Sequence, residues 1–262
     1  MNNFIISLET SEQRRQHIIN EFKKYNIGFQ FFNALYPSEI LDEYIKMHLP
    51  NLKESSLTEV EKACFMSHYI LLLKGISENY DYFTIFEDDI ILGKDSNEYL
   101  INYDWLRHLD SKREFIIKLE SFPKKIVKTK PKYNVLNREI FRLKRAYLGA
   151  AGYIISRNAA IKAVELINQL EPYQLDPIDE LLFNYFILNG KLYVFQLDPA
   201  LCIQERFYNN ESSVLASYLE LDRENRLKKN INNKKKKNIL NSITNEIKRF
   251  FEKIQRRHIE FR

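Results

Sequence analysis

The sequence has few cysteines and no long apolar run. Of its 262 residues only two are cysteines, Cys64 and Cys202. Two such distant cysteines in apolar surroundings support neither a disulfide framework nor a cysteine zinc site, so we expect both thiols to be free and buried. No run approaches the roughly 18 consecutive apolar residues of a membrane-spanning helix. With 29% charged residues and a mean hydropathy of -0.42, the composition argues against an integral membrane protein.

The pattern of an N-terminal signal peptide is also missing. The segment from Met1 to Glu9 has no basic residue before its short apolar stretch, and it reaches a charge too early for a signal peptide. We therefore expect the protein to stay in the cytosol. Glycine is scarce as well, with 6 residues, and no glycine-rich phosphate-binding loop is present.

Length and apolar content predict one folded domain followed by a tail. The chain has 45% hydrophobic and 13% aromatic residues, which are globular values. Its net charge of +5 arises from Lys228 onward, where lysines and arginines far outnumber acids. The part before Lys228 is close to neutral, so a nucleic-acid groove across it is not expected. We place the main domain at residues 1–215 and the tail at residues 216–262.

Residues 239–259 of this tail have the pattern of a basic amphipathic helix. Ile243, Ile247 and Phe250 belong to a series of apolar residues at mostly three- and four-residue steps, and lysines and arginines fill the rest of the helix circumference. Such a helix can lie on an anionic membrane surface, where each nearby basic residue contributes about 1 kcal/mol. Its apolar face can instead pack on its own domain or on a second subunit, which would make a homodimer.

Apolar periodicity predicts an α/β fold that opens with a β-α-β unit. The unit consists of a strand at 4–8, a helix that starts near Ser11 and a strand at 29–34. Thr58 and Glu61 have the spacing of a capping box at the start of a long helix. A break follows at 75–81. The other predicted elements are strands at 82–86, 115–119, 142–147 and 149–155, helices at 158–170 and 179–188, and a last clear strand at 192–195.

Three consecutive acids, Glu87, Asp88 and Asp89, directly follow the predicted strand at 82–86. Ligands of α/β sheets bind beyond the carboxyl ends of the strands, where these acids would lie. Because side chains alternate along an extended segment, Glu87 and Asp89 point to one side and Asp88 to the other. The first two can share one Mg²⁺ or Mn²⁺ ion, which would offset their repulsion. The alternative is a solvated acidic turn, which the apolar residues on both sides of the triplet disfavour.

Several segments occur in a characteristic order and spacing: Ile5-Ile6-Ser7-Leu8 with Arg14-Arg15, Leu57-Thr58 to Cys64 with Ser67-His68, Phe86 to Ile90, Gly152 to Arg157, and Pro177-Ile178-Asp179. Together they resemble glycosyltransferase family 25, the lipooligosaccharide glycosyltransferases of Gram-negative bacteria. The resemblance covers most of residues 1–215. Two departures stand out: Ala63 replaces the usual glycine before Cys64, and Ala150 and Ala151 replace the usual Thr or His before Gly152.

The resemblance implies a GT-A-like α/β domain with a mixed central sheet, plus the basic helical tail. It also implies transfer of a hexose, with inversion, from a UDP-sugar to a saccharide of the lipooligosaccharide core. Galactose is the favoured hexose and glucose the next, and a β-linkage is expected. On this reading the enzyme is peripheral on the cytoplasmic face of the inner membrane, held there by its tail.

The same resemblance assigns roles to residues of the donor site. Glu87 and Asp89 would hold the divalent cation, Mn²⁺ or Mg²⁺, which stabilises the departing diphosphate. Asp88 would bind the ribose or the sugar, or orient a metal ligand. The other donor-binding residues are predicted as follows: Ser7 and Leu8 at the uracil and ribose, Arg14 or Arg15 near the nucleotide, Lys118 and Glu120 at the donor sugar, and Gly152 and Tyr153 in the wall of the sugar-nucleotide site.

Inverting transfer needs a general base on the acceptor side, opposite the leaving diphosphate. We choose Asp179, which follows Pro177 and begins a helix whose N-terminus would favour the ionised carboxylate. The reserves for this role are Asp176, Glu180 and Glu205.

Three further residues have weaker assignments. His68 would either reach the substrate or pack as an ordinary buried histidine. Gln204 and Ser212 are weak matches to a family segment near the mouth of the active site.

Two other functions use the same features. A metal-dependent nucleotidyl or phosphoryl transferase would use the acidic triplet, although no glycine-rich loop supports it. A non-catalytic scaffold would be anchored at the membrane by the basic tail alone.

Overall fold

The computed structural model describes residues 2–107, 109, 114–127, 130–208 and 256–262. Within these ranges the chain forms a mixed α/β fold. Its strands are β1 Asn3–Ser7, β2 Gln30–Asn33, β3 Tyr82–Glu87, β4 Ile90–Leu92, β5 Phe115–Lys118, β6 Glu120–Ser121, β7 Ile126–Val127, β8 Tyr133–Val135, β9 Arg138–Arg142, β10 Gly152–Ser156, β11 Tyr193–Asp198, β12 Cys202–Gln204 and β13 Arg256–Arg257.

Helices connect and cover these strands. Three single turns of 3₁₀ helix lie at Pro50–Leu52, Asp104–Leu106 and Pro172–Gln174, and a π-helical stretch spans Leu181–Tyr185. The α-helices are α1 Glu12–Lys24, α2 Glu39–His48, α3 Glu59–Ser77, α4 Ser96–Leu100, α5 Arg157–Asn168, α6 Ile178–Glu180, α7 Phe186–Leu188 and α8 Glu205–Tyr208.

An eight-stranded mixed sheet in the order β2-β1-β3-β10-β5-β11-β9-β8 is the centre of the fold. Strands β2, β1 and β3 are parallel, so they end at the same edge of the sheet. Strand β10 pairs antiparallel with both β3 and β5, which makes the sheet mixed. A smaller sheet in the order β4-β12-β6 lies next to the end of β3. The predicted mixed central sheet is therefore confirmed.

The alternation of side chains along the strands gives the sheet two apolar faces. On β1, Phe4 and Ile6 belong to one core, which α2, α3 and α5 cover. Ile5 belongs to the other core, together with Ile18 and Phe22 of α1. Because both faces of the sheet are buried, its central strands are almost continuously apolar, which makes them visible in the sequence.

Most predicted elements are present, and the capping box of α3 is confirmed. The backbone N–H of Glu61 donates to the Thr58 hydroxyl at 3.2 Å, and the N–H of Thr58 donates to the Glu61 carboxylate at 3.0 Å. The helix continues to Ser77, so the break predicted to begin at residue 75 begins only after residue 77. Gly75 lies inside α3. Glycine suits this position because a Cβ there would overlap the ring of Phe83.

Two predictions about strands are corrected. The strand expected at 142–147 is wrong, because the strand in this region is β9, which ends at Arg142. The strand at 192–195 is also not the last, since β12 follows it in the smaller sheet. Strands as short as β12 carry too few residues for a periodic pattern to show.

Most of the predicted tail helix at 239–259, namely residues 239–255, lies outside the described residues. The last four residues, 256–259, are described and are not helical. Arg256–Arg257 pairs as a strand with β7. Ile259 is 3% exposed and its carbonyl accepts a hydrogen bond from the Ser121 hydroxyl at 2.7 Å. The segment 256–262 therefore packs on the main fold. In the described parts of the chain, no helix combines the length and apolar character needed to cross a bilayer.

Candidate functional site

A cavity of about 400 Å³ opens where the parallel strands β1 and β3 end. This is the position at which α/β sheets usually bind ligands, and the volume suits a small organic molecule. Six of the predicted site residues line it, namely Ser7, Leu8, Arg14, Glu87, Asp88 and Asp89. Its other lining residues are Ile6, Ser11, Ala34, Leu35, Tyr36, Pro37, Val60, Ala63, Cys64, Ser67, His68, Gln204 and Arg206.

Asp88 forms an ion pair with Arg14 across the cavity wall. An Nη1–Oδ1 distance of 2.5 Å joins them, and the two side chains are only 20% and 9% exposed. The pair ties the turn after β3 to the first turn of α1. Asp88 and Asp89 lie in the turn after β3, which ends at Glu87, so the predicted strand alternation does not extend to them, and all three acids line the cavity.

Glu87 and Asp89 converge on one amide group. The Nε2 of Gln204 donates to Oε2 of Glu87 at 3.3 Å and to Oδ2 of Asp89 at 3.2 Å. Burial, followed by the charge of Glu87, raises the pKa of the Asp89 carboxyl from 3.8 to about 7. Two repelling carboxylates that meet at one donor fit a divalent cation, because oxygen ligands are those that Mg²⁺ and Mn²⁺ prefer.

His68 lies behind this group on α3 and is fully buried. Its Nδ1 is 3.0 Å from the hydroxyl of Tyr153, and the two rings are stacked. Its Nε2 lies 3.7 Å from Oε1 of Glu87. The histidine therefore contacts the acidic group directly and is not an isolated packing residue.

Lys118 and Glu120 form a buried ion pair. The Lys118 ammonium donates to Oε1 of Glu120 at 2.8 Å, and both side chains are completely buried. It also donates to the backbone carbonyls of Tyr147, Leu148 and Gly149. Burial raises the pKa of Glu120, while Lys118 lowers it. Neither side chain is among the lining residues of the cavity, so their predicted contact with the donor sugar stays a prediction.

Asp179, the predicted base, is buried beside the same network. Its Oδ2 accepts a hydrogen bond from the backbone N–H of Gly149 at 3.2 Å. Of the reserves, Asp176 is exposed and Glu180 accepts a hydrogen bond from Asn184. The backbone N–H of Glu205 donates to the carbonyl of Asp89 at 2.7 Å, which places this residue on the far side of the acidic turn.

Three other predicted site residues, Arg15, Gly152 and Tyr153, do not line the cavity themselves. Arg15 donates to the backbone carbonyls of Ser7 and Leu8, both at 3.1 Å, and so fixes the shape of the loop after β1. Gly152 faces Cys202, whose Sγ would be 2.5 Å from an added Cβ. Tyr153 does not line the cavity, but its hydroxyl is 3.0 Å from Nδ1 of His68, which does. Ser212, the weak match near the mouth of the active site, lies outside the described residues.

Arg206 is a site residue that the sequence prediction missed. It lies on α8 and lines the cavity, where its Nη2 donates to Oε1 of Gln204 at 3.0 Å. This contact places a second cation, besides Arg14, next to the acidic group. The preceding strand β12 is too short to reveal in the sequence that its end meets the end of β3.

Comparisons with known proteins identify the family of the chain. A family model for glycosyltransferase family 25 (LPS biosynthesis protein) matches residues 1–182. Lacto-N-neotetraose biosynthesis glycosyltransferase LgtE of Neisseria meningitidis serogroup B is 41% identical over 230 residues, which are 86% of this chain and 82% of the relative. Lipooligosaccharide biosynthesis protein lic2B of Haemophilus influenzae is 40% identical over 97% of this chain and 95% of its own length.

One solved structure has a distant likeness. It is a glycosyltransferase involved in the glycosylation of the major capsid of PBCV-1, with a TM-score of 0.42 and 9% identity over 86% of this chain and 98% of its own. A likeness this low carries no argument about substrate or mechanism.

Proposed function

The chain belongs to glycosyltransferase family 25, and we propose that it transfers a hexose from a UDP-sugar to a saccharide of the lipooligosaccharide core. Galactose is the first choice of hexose and glucose the second. The observation that carries the proposal is the cavity at the ends of β1 and β3, because it brings three acids and two arginines together at the ligand-binding edge of the sheet.

The two arginines are suited to the diphosphate of the donor. Arg14 and Arg206 both line the cavity, and guanidinium groups bind phosphate oxygens through two parallel hydrogen bonds. Ser7 and Leu8 lie at the end of β1 in the same cavity, where they would contact the uracil and ribose. Asp88, already held by Arg14, is placed to accept a hydrogen bond from a ribose or sugar hydroxyl.

Glu87 and Asp89 would hold a divalent cation, Mn²⁺ or Mg²⁺. The convergence of both carboxylates on Gln204 supports this role. Such a cation supplies Lewis-acid stabilisation of the negative charge that grows on the leaving diphosphate. Without the cation, the same two carboxylates would repel the donor, so the arginines alone would give weaker binding.

Asp179 is the proposed base that removes the proton from the acceptor hydroxyl. Inversion in one displacement requires this base on the face of the sugar opposite the diphosphate. The backbone N–H of Gly149 fixes the carboxylate of Asp179. Gly149 lies between this carboxylate and Glu120, because an added Cβ at Gly149 would be 2.5 Å from Oε1 of Glu120. The product would carry a β-linkage, since the donors are α-linked.

The names of the relatives support the class of acceptor. One is a lacto-N-neotetraose biosynthesis glycosyltransferase and another a lipooligosaccharide biosynthesis protein. An acceptor of this kind is anchored in a bilayer, so the enzyme would work at the cytoplasmic face of the inner membrane. The basic residues from Lys228 onward would hold it there, or would join two subunits.

The test is a panel of UDP-galactose, UDP-glucose, UDP-GlcNAc and ADP-heptose, each with and without Mn²⁺. We expect one UDP-hexose to raise the melting temperature and to release UDP slowly, and the linkage of the product is read by NMR. The Asp88→Asn variant should lose both the rise in melting temperature and the release of UDP. The control variant Glu98→Gln changes an exposed acid away from the cavity and should keep both. Nucleotide transfer without a sugar product would support the nucleotidyl transferase instead. No response to any donor would support a scaffold.

A further inference from the structure

Donor binding does not explain one cluster of side chains at the floor of the cavity. Cys64 and His68 lie one turn apart on α3, so they share a face of that helix. This face meets the end of β3 at Glu87. Potential ligand atoms of the three residues, a thiol sulfur, an imidazole nitrogen and a carboxylate oxygen, all lie within 4.8 Å of one another.

The Nε2 atom of His68 has no hydrogen-bond partner in the described part of the chain, although it is buried. A buried polar atom without a partner costs about 1–3 kcal/mol, so its lone pair or proton calls for an explanation. Oε1 of Glu87 is 3.7 Å away, which is too far for a hydrogen bond. That separation is close to the edge of a metal tetrahedron, since ligand bonds of 2.0–2.3 Å place neighbouring ligands about 3.3–3.8 Å apart.

We infer that Cys64, His68 and Glu87 bind a thiolate-preferring divalent cation, of which zinc is the first choice. A thiolate, a neutral imidazole and a carboxylate carry two negative charges, which such a cation neutralises. Sulfur and imidazole ligands select zinc or cobalt over magnesium or manganese. Three protein ligands leave one coordination position of a tetrahedron open, and Cys64 and Glu87 are only half-buried, so this position faces the cavity.

The two carboxylate oxygens of Glu87 have different partners, which distinguishes this site from the all-oxygen site of Glu87 and Asp89. Oε1 faces His68, whereas Oε2 accepts the hydrogen bond from Gln204 that also holds Asp89. Asp89 is therefore a ligand in the all-oxygen site but not in the one with sulfur. The two sites differ in which substitutions remove the metal.

Tyr153 completes the inferred site from behind. A metal on Nε2 requires the proton on Nδ1, and the Tyr153 hydroxyl oxygen, 3.0 Å from Nδ1, accepts it as a hydrogen bond. Tyr153 is thus a positioning residue that fixes the tautomer and the ring orientation of His68.

The use of the open position in catalysis rests on the proposed function, because a donor diphosphate oxygen would occupy it. Metal binding itself does not rest on that function. The experiment therefore measures metal content and donor hydrolysis separately on the same samples.

The full chain is stripped with a chelator and reloaded with Zn²⁺ or with Co²⁺. We expect one tightly held ion per chain by elemental analysis, and with cobalt the thiolate charge-transfer band in the near ultraviolet. Cys64→Ser should abolish the band, and His68→Gln should weaken binding by at least about 100-fold. Tyr153→Phe should weaken it about 10- to 100-fold. Asp89→Asn should leave both the band and the affinity unchanged.

A second measurement covers variants that fail to fold. In the unaltered protein, bound zinc should protect Cys64 from alkylation, while the fully buried Cys202 stays unreactive with or without metal. Absence of a stoichiometric ion, binding that survives Cys64→Ser, or loss of the metal in Asp89→Asn would each overturn the inference. Metal binding without donor hydrolysis would instead count against the proposed function alone.

Discussion

The ammonium of Lys118 lies 2.8 Å from Oε1 of Glu120, and the side chains of both residues are 0% exposed. Three backbone carbonyls of the segment 147–149 accept the other hydrogen bonds of the same ammonium. One lysine therefore joins the end of β5, the start of β6 and the loop before β10. Gly149, whose carbonyl accepts from Lys118, also donates its N–H to Asp179, so the ion pair helps to hold the backbone that fixes Asp179.

Removal of Lys118 should destabilise the protein strongly. Lys118→Met leaves the buried Glu120 without its cationic partner and removes the donor to three carbonyls, so we expect a loss of about 3–5 kcal/mol in the free energy of unfolding. Glu120→Gln should cost less, because the lysine keeps its carbonyl partners. Urea unfolding of both variants and of the double variant measures the coupling. Equal losses in the two single variants would contradict this account.

Arg14→Gln should weaken donor binding and also cost some stability. The side chains of Arg14 and Asp88 are only 20% and 9% exposed, so the variant leaves a largely buried carboxylate without its cation. If Arg14 contacts the diphosphate, loss of one charge-assisted interaction should raise the donor KM about tenfold. Steady-state kinetics with the donor found in the panel test this. Arg107→Gln, at an exposed arginine, is the control, and an equal KM in both variants would refute the role of Arg14.

In the metal-free protein, Asp89 should make stability fall as the pH rises. Burial raises the pKa of its carboxyl from 3.8 to about 7. Since the folded-state pKa is above the unfolded value, the stability contribution is complete below the unfolded pKa and is lost as the pH rises through about 7. Melting temperatures of chelator-treated protein, compared with those of Asp89→Asn, isolate this group. Parallel pH curves for the two proteins would rule the effect out.

Two glycines with positive φ form a matched pair for a test of close packing. Gly149 has φ +91 and an added Cβ would lie 2.5 Å from Oε1 of Glu120, whereas Gly190 has φ +64 and open space around it. Gly190→Ala should cost about 1–2 kcal/mol from backbone strain alone. Gly149→Ala should cost more, because it also displaces the Glu120 carboxylate. Thermal unfolding gives both values, and similar losses would show that the Glu120 contact is unimportant.

The segment 256–262 should contribute to the stability of the main fold. Ile259 is 3% exposed, so Ile259→Ala should cost about 2–5 kcal/mol. Ile101→Ala removes a similar side chain that is 57% exposed, and we expect almost no change. Urea unfolding compares the two. An unaffected Ile259→Ala variant would mean that the segment does not pack on the domain in solution.

Much of the fold could be predicted because local signals were strong. The capping box of Thr58 and Glu61 started α3 as expected, and the apolar strands β1, β3 and β10 were each visible as short runs. The family predicted from the motifs is also confirmed. Short strands such as β12 and the strand pairing of Arg256–Arg257 could not be predicted, because their partners are distant in sequence.

The acidic triplet itself was determined by the sequence: an apolar strand followed directly by acids places them at one edge of a sheet. Only the tertiary structure decided which partners they meet. Arg14 pairs with Asp88, Gln204 joins Glu87 to Asp89, and His68 with Cys64 approaches Glu87 from α3. The reason is physical, since a periodic pattern reports burial within one element, whereas these contacts depend on how α1, α3 and β12 pack around the end of β3.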